Sequence, residues 1–217
     1  MALETLTLDA LREQAVLFAQ EETAHKEPAL YGVTDGKAIG TYIERKFSLL
    51  LAKSYDLLLG NAAKGIDLPS VNVDVKVTSI AKPQSSCPFS SARQKIFGLG
   101  YSLLVFVYEK SDDAAANTST LSIVHTIFID AAVTGDFTVT KRLREMVGDG
   151  ANQEDIVGYL QDRNLPADEI EIYSIAASVL ASTPAQGYLT VSNAHQWRLA
   201  YDRAINAAGE VAGIIRL

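Results

Sequence analysis

At 217 residues, with 48% hydrophobic and 21% charged residues, the chain is long enough to bury a substantial core and too apolar to be disordered. Its one cysteine, Cys87, excludes an internal disulfide framework and a cysteine-rich zinc site, and three scattered histidines, His25, His125 and His195, argue against a histidine-ligated metal. The net charge of −7 weighs against a nucleic-acid partner as a sum, but residues 37–95 carry nine basic and four acidic residues, against two and seven before them and eight and fifteen after. A polyanion approaching that basic block meets a positive field.

No apolar run approaches the ~20 residues of a membrane span, and the N-terminal Met-Ala-Leu-Glu-Thr lacks the basic and apolar regions of a signal peptide. A reducing cytoplasm is the expected compartment. With no internal repeat and no long linker, residues 1–217 read as a single domain.

Taken in chain order, residues 8–24 predict an amphipathic helix with Leu8, Leu11, Ala15 and Phe18 on one side. A loop with Pro28, Gly32 and Gly36 follows, then a long helix over 37–59 stopped by Gly60-Asn61. Asp67 is placed at the end of a short strand, and Val71–Ile80 forms the next. Residues 81–91 read as an irregular polar loop, after which Ser90 or Ser91 caps a helix to about Gly98. Tyr101–Tyr108 is a continuous apolar run suited to a buried central strand. Residues 111–119 read as an exposed loop and Leu121–Ile129 as another strand. Helices at about 138–147, 152–162 and 167–180, a strand at 188–191, a helix at about 194–208 and an edge strand over Val211–Leu217 complete the chain. The class is α/β with a mixed central sheet flanked by helices.

The most informative segment is Gly65–Thr78. Val71, Val73, Val75 and Val77 alternate onto one face of a strand, while Asn72, Asp74, Lys76 and Thr78 fall on the other. The valines are core. The other face sets a carboxylate and an ammonium two residues apart, with Asp67 just across a Pro-Ser turn. Hydrolysing a phosphodiester needs a positioned water and positive charge on the pentacoordinate state, which carboxylate-held Mg²⁺ supplies. Mg²⁺ takes only one or two protein carboxylates, the remaining positions going to water and phosphate. Asp67, Asp74 and the backbone carbonyl of Val75 suit such a site, and Lys76 suits a water-orienting or charge-neutralising role. The bland alternatives are a plain Asp74–Lys76 ion pair and an Asp67 that merely opens a turn.

With Asp67, Asp74-Val-Lys76 and the strand pattern in view, the chain resembles the PD-(D/E)xK nuclease superfamily and, more closely, its type II restriction endonucleases. The resemblance covers residues 37–108. It implies a restriction-endonuclease-like core at about 37–130, and residues 138–217 then form a helical part suited to DNA recognition or dimerisation. It also implies that Glu44, on the preceding helix, assists in metal binding, and that Gln94 occupies a supporting place. Ile66 stands where the family often has proline. The six-residue gap between the aspartates demands a tight hairpin at Leu68–Val71.

The resemblance further implies a Mg²⁺-dependent, site-specific endonuclease of double-stranded DNA, with Mn²⁺ able to substitute, in a prokaryotic cytoplasm. A homodimer and a cognate DNA methyltransferase partner are expected with it. A structure-specific or repair nuclease of the same superfamily remains an alternative, as does a non-catalytic DNA-binding module with a decayed core. DNA contacts are expected from Lys82, Gln84, Ser85, Ser86, Arg93 and Lys95 beside the site. A second group, Asn193, His195, Gln196 and Arg198, suits base edges, the competing reading being a capped helix with Trp197 in the core. Lys141, Arg142 and Arg144 form a third basic cluster.

Overall fold

The computed structural model describes residues 3–57, 66–86, 89–163, 165–191 and 198–217. The chain divides into two compact units, one from residues 1–85, 102–129 and 208–217, the other from 86–101 and 130–207.

The first unit is a mixed sheet with helices packed on it. Helix α1 spans Leu8–Ala24, capped by the Thr7 hydroxyl, and α2 spans Gly36–Leu51, capped by Asp35. Leu11, Ala15 and Phe18 of α1 and Ile39, Ile43, Phe47 and Leu51 of α2 are buried. Strands β1 (Lys26–Glu27), β2 (Val73–Ser79), β4 (Ser102–Asp113) and β5 (Thr118–Ile129) run in the order β1-β5-β4-β2. β2 lies parallel to β4, and β4 antiparallel to β5. β8 (Ile214–Arg216) pairs antiparallel with the end of β5, so the expected C-terminal edge strand forms. Phe18 and Phe47 each meet Phe106 edge-on and meet each other tilted, with centroids 5.1 to 5.4 Å apart, and tie α1, α2 and β4 into one core. β2 is the last strand in the order, which leaves its outer edge open to the chain that precedes it.

Three expectations are corrected in this unit. α2 stops at Leu51, short of 59, because the chain turns there and pairs with the N-terminal segment: Glu4 N–H donates to Ser54 and Asp56 N–H to Glu4. Residues 111–119 are mostly strand: Ser111, Asp112 and Asp113 pair with Thr120, Ser119 and Thr118. Polar residues were enough to suggest a loop, but Asp112 is held by the Lys110 ammonium, the Ser119 hydroxyl and the Gly32 N–H at 3.2 Å. Lys26 and Glu27, expected in a loop, form β1.

The second unit holds α3 (Ala92–Phe97), α4 (Phe137–Gly148), α5 (Gln153–Asp162) and α6 (Glu169–Ala181) around Ile96, Leu143, Ile156, Leu160, Ile175 and Val179. Its polar centre is Asp136, 4% exposed, whose carboxylate accepts Val139 N–H to cap α4 and Val191 N–H to fix β6 (Thr190–Val191). β6 pairs antiparallel with β7 (Arg198–Ala200), and α7 covers Asp202–Ala207. The helix expected over 194–208 is therefore a strand followed by a shorter helix, with 192–197 outside the described residues. No helix among the described residues is long and apolar enough to cross a membrane.

Candidate active site

The segment before β2 folds back sharply. Leu68 and Val73 form an antiparallel bridge, and each donates its N–H to the other's carbonyl, at 2.9 and 3.2 Å. Asn72 makes the turn with φ of 55°, a left-handed conformation that asparagine tolerates well. This is the tight hairpin that the short gap between the aspartates requires. It brings Asp67 alongside β2, where its Oδ2 accepts the Val75 N–H at 3.0 Å. The Val75 carbonyl leaves the strand toward the same open edge.

On the polar face of β2, Asp74 is buried, 1% exposed, with the Lys76 ammonium 2.6 Å from its Oδ2. Val73 and Val75 are buried on the opposite face, and Val77 faces Gly40 of α2, where an added Cβ would stand 3.9 Å from the Val77 Cβ. The alternation thus separates core from site, yet both faces are shielded from solvent at Val73–Val75. Burial pushes the Asp74 carboxyl up to about 7; a hydrogen bond with Asp67 adds to this, and Lys76 opposes it. Glu44, half-buried on α2, is also raised, first by burial and then by the charge of Asp67, with Lys76 pulling the other way. Asp67, Asp74, Lys76 and Glu44 therefore share one electrostatic environment.

The donor set suits a hard divalent cation. Every candidate ligand is oxygen, and Asp74 Oδ2 is a buried atom with the Lys76 ion pair but no hydrogen bond of regular geometry. A cation can replace the proton that burial favours on Asp74. Among the described residues no three His, Cys, Asp or Glu side chains converge as a ready-made metal cage.

The expected DNA contacts fare unevenly. Lys82 is exposed in the turn after β2, and Gln84, Ser85 and Ser86 form the short strand β3 (Gln84–Ser86). Lys95 is 3% exposed, so its ammonium is not a surface charge; the helix turns it inward, a placement that spacing did not reveal. Arg93 donates to the Ser178 hydroxyl at 2.8 and 3.2 Å and lies over Phe97. The Gln94 amide is taken up within its own segment, accepting from Ser90 and donating to the Leu99 carbonyl. Arg198 is exposed on β7 rather than at a helix start. Asn193, His195, Gln196, Trp197 and Cys87 lie outside the described residues. Lys141 and Arg142 pair with Glu145, and Arg144 donates to the Pro184 carbonyl, so the third cluster is tied down locally.

One positioning residue went unread in the sequence. Asn72 sits four residues after Leu68 in Leu-Pro-Ser-Val-Asn, and a turn-favouring asparagine directly before a β-branched run is the signal that would have marked the hairpin.

The type II restriction enzyme NspV family model matches residues 5–216. The type II restriction enzyme NspV of Nostoc sp. (strain ATCC 29411 / PCC 7524) is 55% identical over 210 residues, which cover 97% of this chain and 96% of that protein. No solved structure matches. A match of this length and identity, on a chain whose mixed sheet carries paired aspartates and a lysine at one strand, places it in the NspV family of type II restriction enzymes.

Proposed function

We propose that the chain is a Mg²⁺-dependent restriction endonuclease of the PD-(D/E)xK superfamily that hydrolyses phosphodiester bonds of double-stranded DNA at a specific sequence. Sequence-specific DNA cleavage follows from the family; the metal and the residue roles are our reading. The observation that carries it is the convergence of Asp67 and Asp74 beside Lys76, with Asp67 pinned by the Val75 N–H. Asp67, Asp74 and the Val75 carbonyl are the ligands in this proposal, and Glu44 assists in metal binding. Bound Mg²⁺, with Mn²⁺ as a substitute, supplies Lewis-acid stabilisation of charge on the reacting phosphate. Lys76, partly exposed and hydrogen-bonding distance from Asp74, holds the attacking water and neutralises charge that develops on it. Two copies of the chain acting on the two DNA strands, and a methyltransferase that protects the same sequence, complete the proposal, in a prokaryotic cytoplasm.

The test is a digest of a long, sequenced, unmethylated DNA with purified protein and Mg²⁺, beside Lys76→Ala and a chelator control. Sharp bands lost in both controls are expected. A smear, or cutting confined to branched DNA, would instead indicate a repair-type nuclease. Binding with no cleavage by either form would indicate a decayed core.

A further inference from the structure

We propose that the solvent-facing side of α2, through Lys37 and Arg45 with Thr41 between them, grips the sugar–phosphate backbone of the DNA beside the aspartate site. The inference rests on the endonuclease reading and deepens it, because it names residues that bind substrate without touching the chemistry.

Helical spacing sets the geometry. Lys37, Thr41, Glu44 and Ser48 follow at intervals of three and four along α2, so they form one stripe, and Arg45 lies next to it. α2 packs on β2, with Gly40 facing Val77, and the Glu44 carboxyl on that stripe responds to the charges of Asp67 and Lys76, so the stripe borders the site. Gly40, Ile43, Phe47 and Leu51 point into the core, whereas Lys37, Thr41 and Arg45 are exposed.

Five other cations of the first unit are committed to acids. In the same unit Arg12 pairs with Asp9, Lys26 with Asp113, Lys46 with Glu22, Lys76 with Asp74 and Lys110 with Asp112. Among the described residues Lys37 and Arg45, like Lys53 and Lys82, have no acidic partner, in a chain where 26 acids outnumber 19 bases. A site built from Glu44, Asp67 and Asp74 repels a phosphate strand. Uncompensated cations on its rim offset that repulsion and release counterions from the DNA. The chemistry matches the ligand: a guanidinium fork and an ammonium for phosphate oxygens, with a hydroxyl donor between. Such contacts set register and carry no sequence information.

Lys53 provides an internal control. It too lacks an acidic partner, but it lines the opposite flank with Phe18, Glu22 and Lys46. The experiment measures affinity for a duplex in chelator, across a range of KCl, for wild type, Lys37→Ala, Arg45→Ala, the double variant and Lys53→Ala. Each α2 variant is expected to lower the slope of log K against log salt by about one, and the double variant by about two, on any sequence. Lys53→Ala is expected to match wild type, and Lys37→Arg and Arg45→Lys to keep the slope. An unchanged slope in the double variant would overturn the inference while cleavage by wild type kept the endonuclease reading intact. An equal loss in Lys53→Ala would also overturn it, reducing the effect to net charge. Wild-type protein that neither binds nor cuts DNA would remove both.

Discussion

The main-chain N–H of Val75 donates to Oδ2 of Asp67 at 3.0 Å, so the carboxylate is fixed by the strand that carries Asp74 and Lys76. That bond exists only because Asn72 turns the chain with φ of 55°. Asn72→Gly keeps the turn and is expected to retain cleavage and metal affinity. Asn72→Ile puts a β-branched residue in the left-handed region at a cost of about 2 kcal/mol, and the hairpin relaxes to escape it. Cleavage is then expected to fall by about 10²-fold, the loss typical when a ligand's support is removed. Equal activity of the two variants, measured on the same DNA, would show that the turn does not position Asp67.

The protonation of Asp74 sets a pH dependence in metal-free protein. An unfolded aspartate titrates near ~3.9, whereas burial and the Asp67 hydrogen bond hold Asp74 up at about 7. Between those values the folded state binds more protons than the unfolded one. This group's contribution to stability therefore falls as pH rises from about 4 to about 7 and is flat above. Thermal unfolding in chelator is expected to show that decline and Asp74→Asn to flatten it. Mg²⁺ competes with the proton on Asp74, so its stabilising shift is expected to grow as pH passes 7 and to vanish in Asp74→Asn. A Mg²⁺ shift of equal size at pH 5 and pH 8 would count against a metal bound by this pair.

Sequence periodicity located what depends on local chemistry. α1 spans the expected residues 8–24, and the valine alternation of β2 marked the face opposite Asp74 and Lys76. What it did not locate depends on partners distant in the chain. Lys26 and Glu27 become a strand only by pairing with Ser119 and Thr120. The polar end of the β4–β5 hairpin reads as loop until Asp112 is seen held by Lys110 and Ser119. The inward turn of Lys95 and the capture of Arg93 by Ser178 are likewise tertiary, which is why a row of polar residues over 82–95 overstated the surface available to DNA. At the site, the spacing of Asp67, Asp74 and Lys76 was readable, but the Val75–Asp67 bond and the burial of Asp74 were not.

Gly187 and Gly135 test the packing of the second unit. A Cβ on Gly187 would stand 2.1 Å from the Gly135 carbonyl oxygen, a backbone atom that cannot swing aside, and the Gly187 N–H is committed to the Thr140 hydroxyl at 2.9 Å. Gly187→Ala is expected to cost at least about 2 kcal/mol in denaturant unfolding, in the range of overpacking a core. Gly158, inside α5 with open space around it, is the contrast. Gly158→Ala is expected to stabilise by about 0.5–1 kcal/mol through helix propensity. Equal effects at the two positions would mean that the Gly135–Gly187 approach is not a constraint.

Lys76 is the sole charged partner within ion-pair distance of Asp74 among the described residues, at 2.6 Å, and Asp74 is 1% exposed. Lys76→Met keeps the length of the side chain and removes the ammonium, so cleavage is expected to be lost. Its effect on folding is pH-dependent in a stated direction. Lys76 now holds the Asp74 carboxyl lower than burial alone would, so the variant shifts that group further up and keeps it protonated to higher pH. At pH 5 Asp74 is protonated in both proteins, and their stabilities are expected to be close. At pH 8 the variant must bury an uncompensated charge or retain a proton against the solvent; wild type stops losing stability near 7, so the deficit opens over about one pH unit and is expected to be about 1 kcal/mol. Unfolding curves at the two pH values decide the matter. A constant deficit would place the contribution of Lys76 in the packing of its methylenes, and a deficit that opens with pH would place it in the pairing with Asp74.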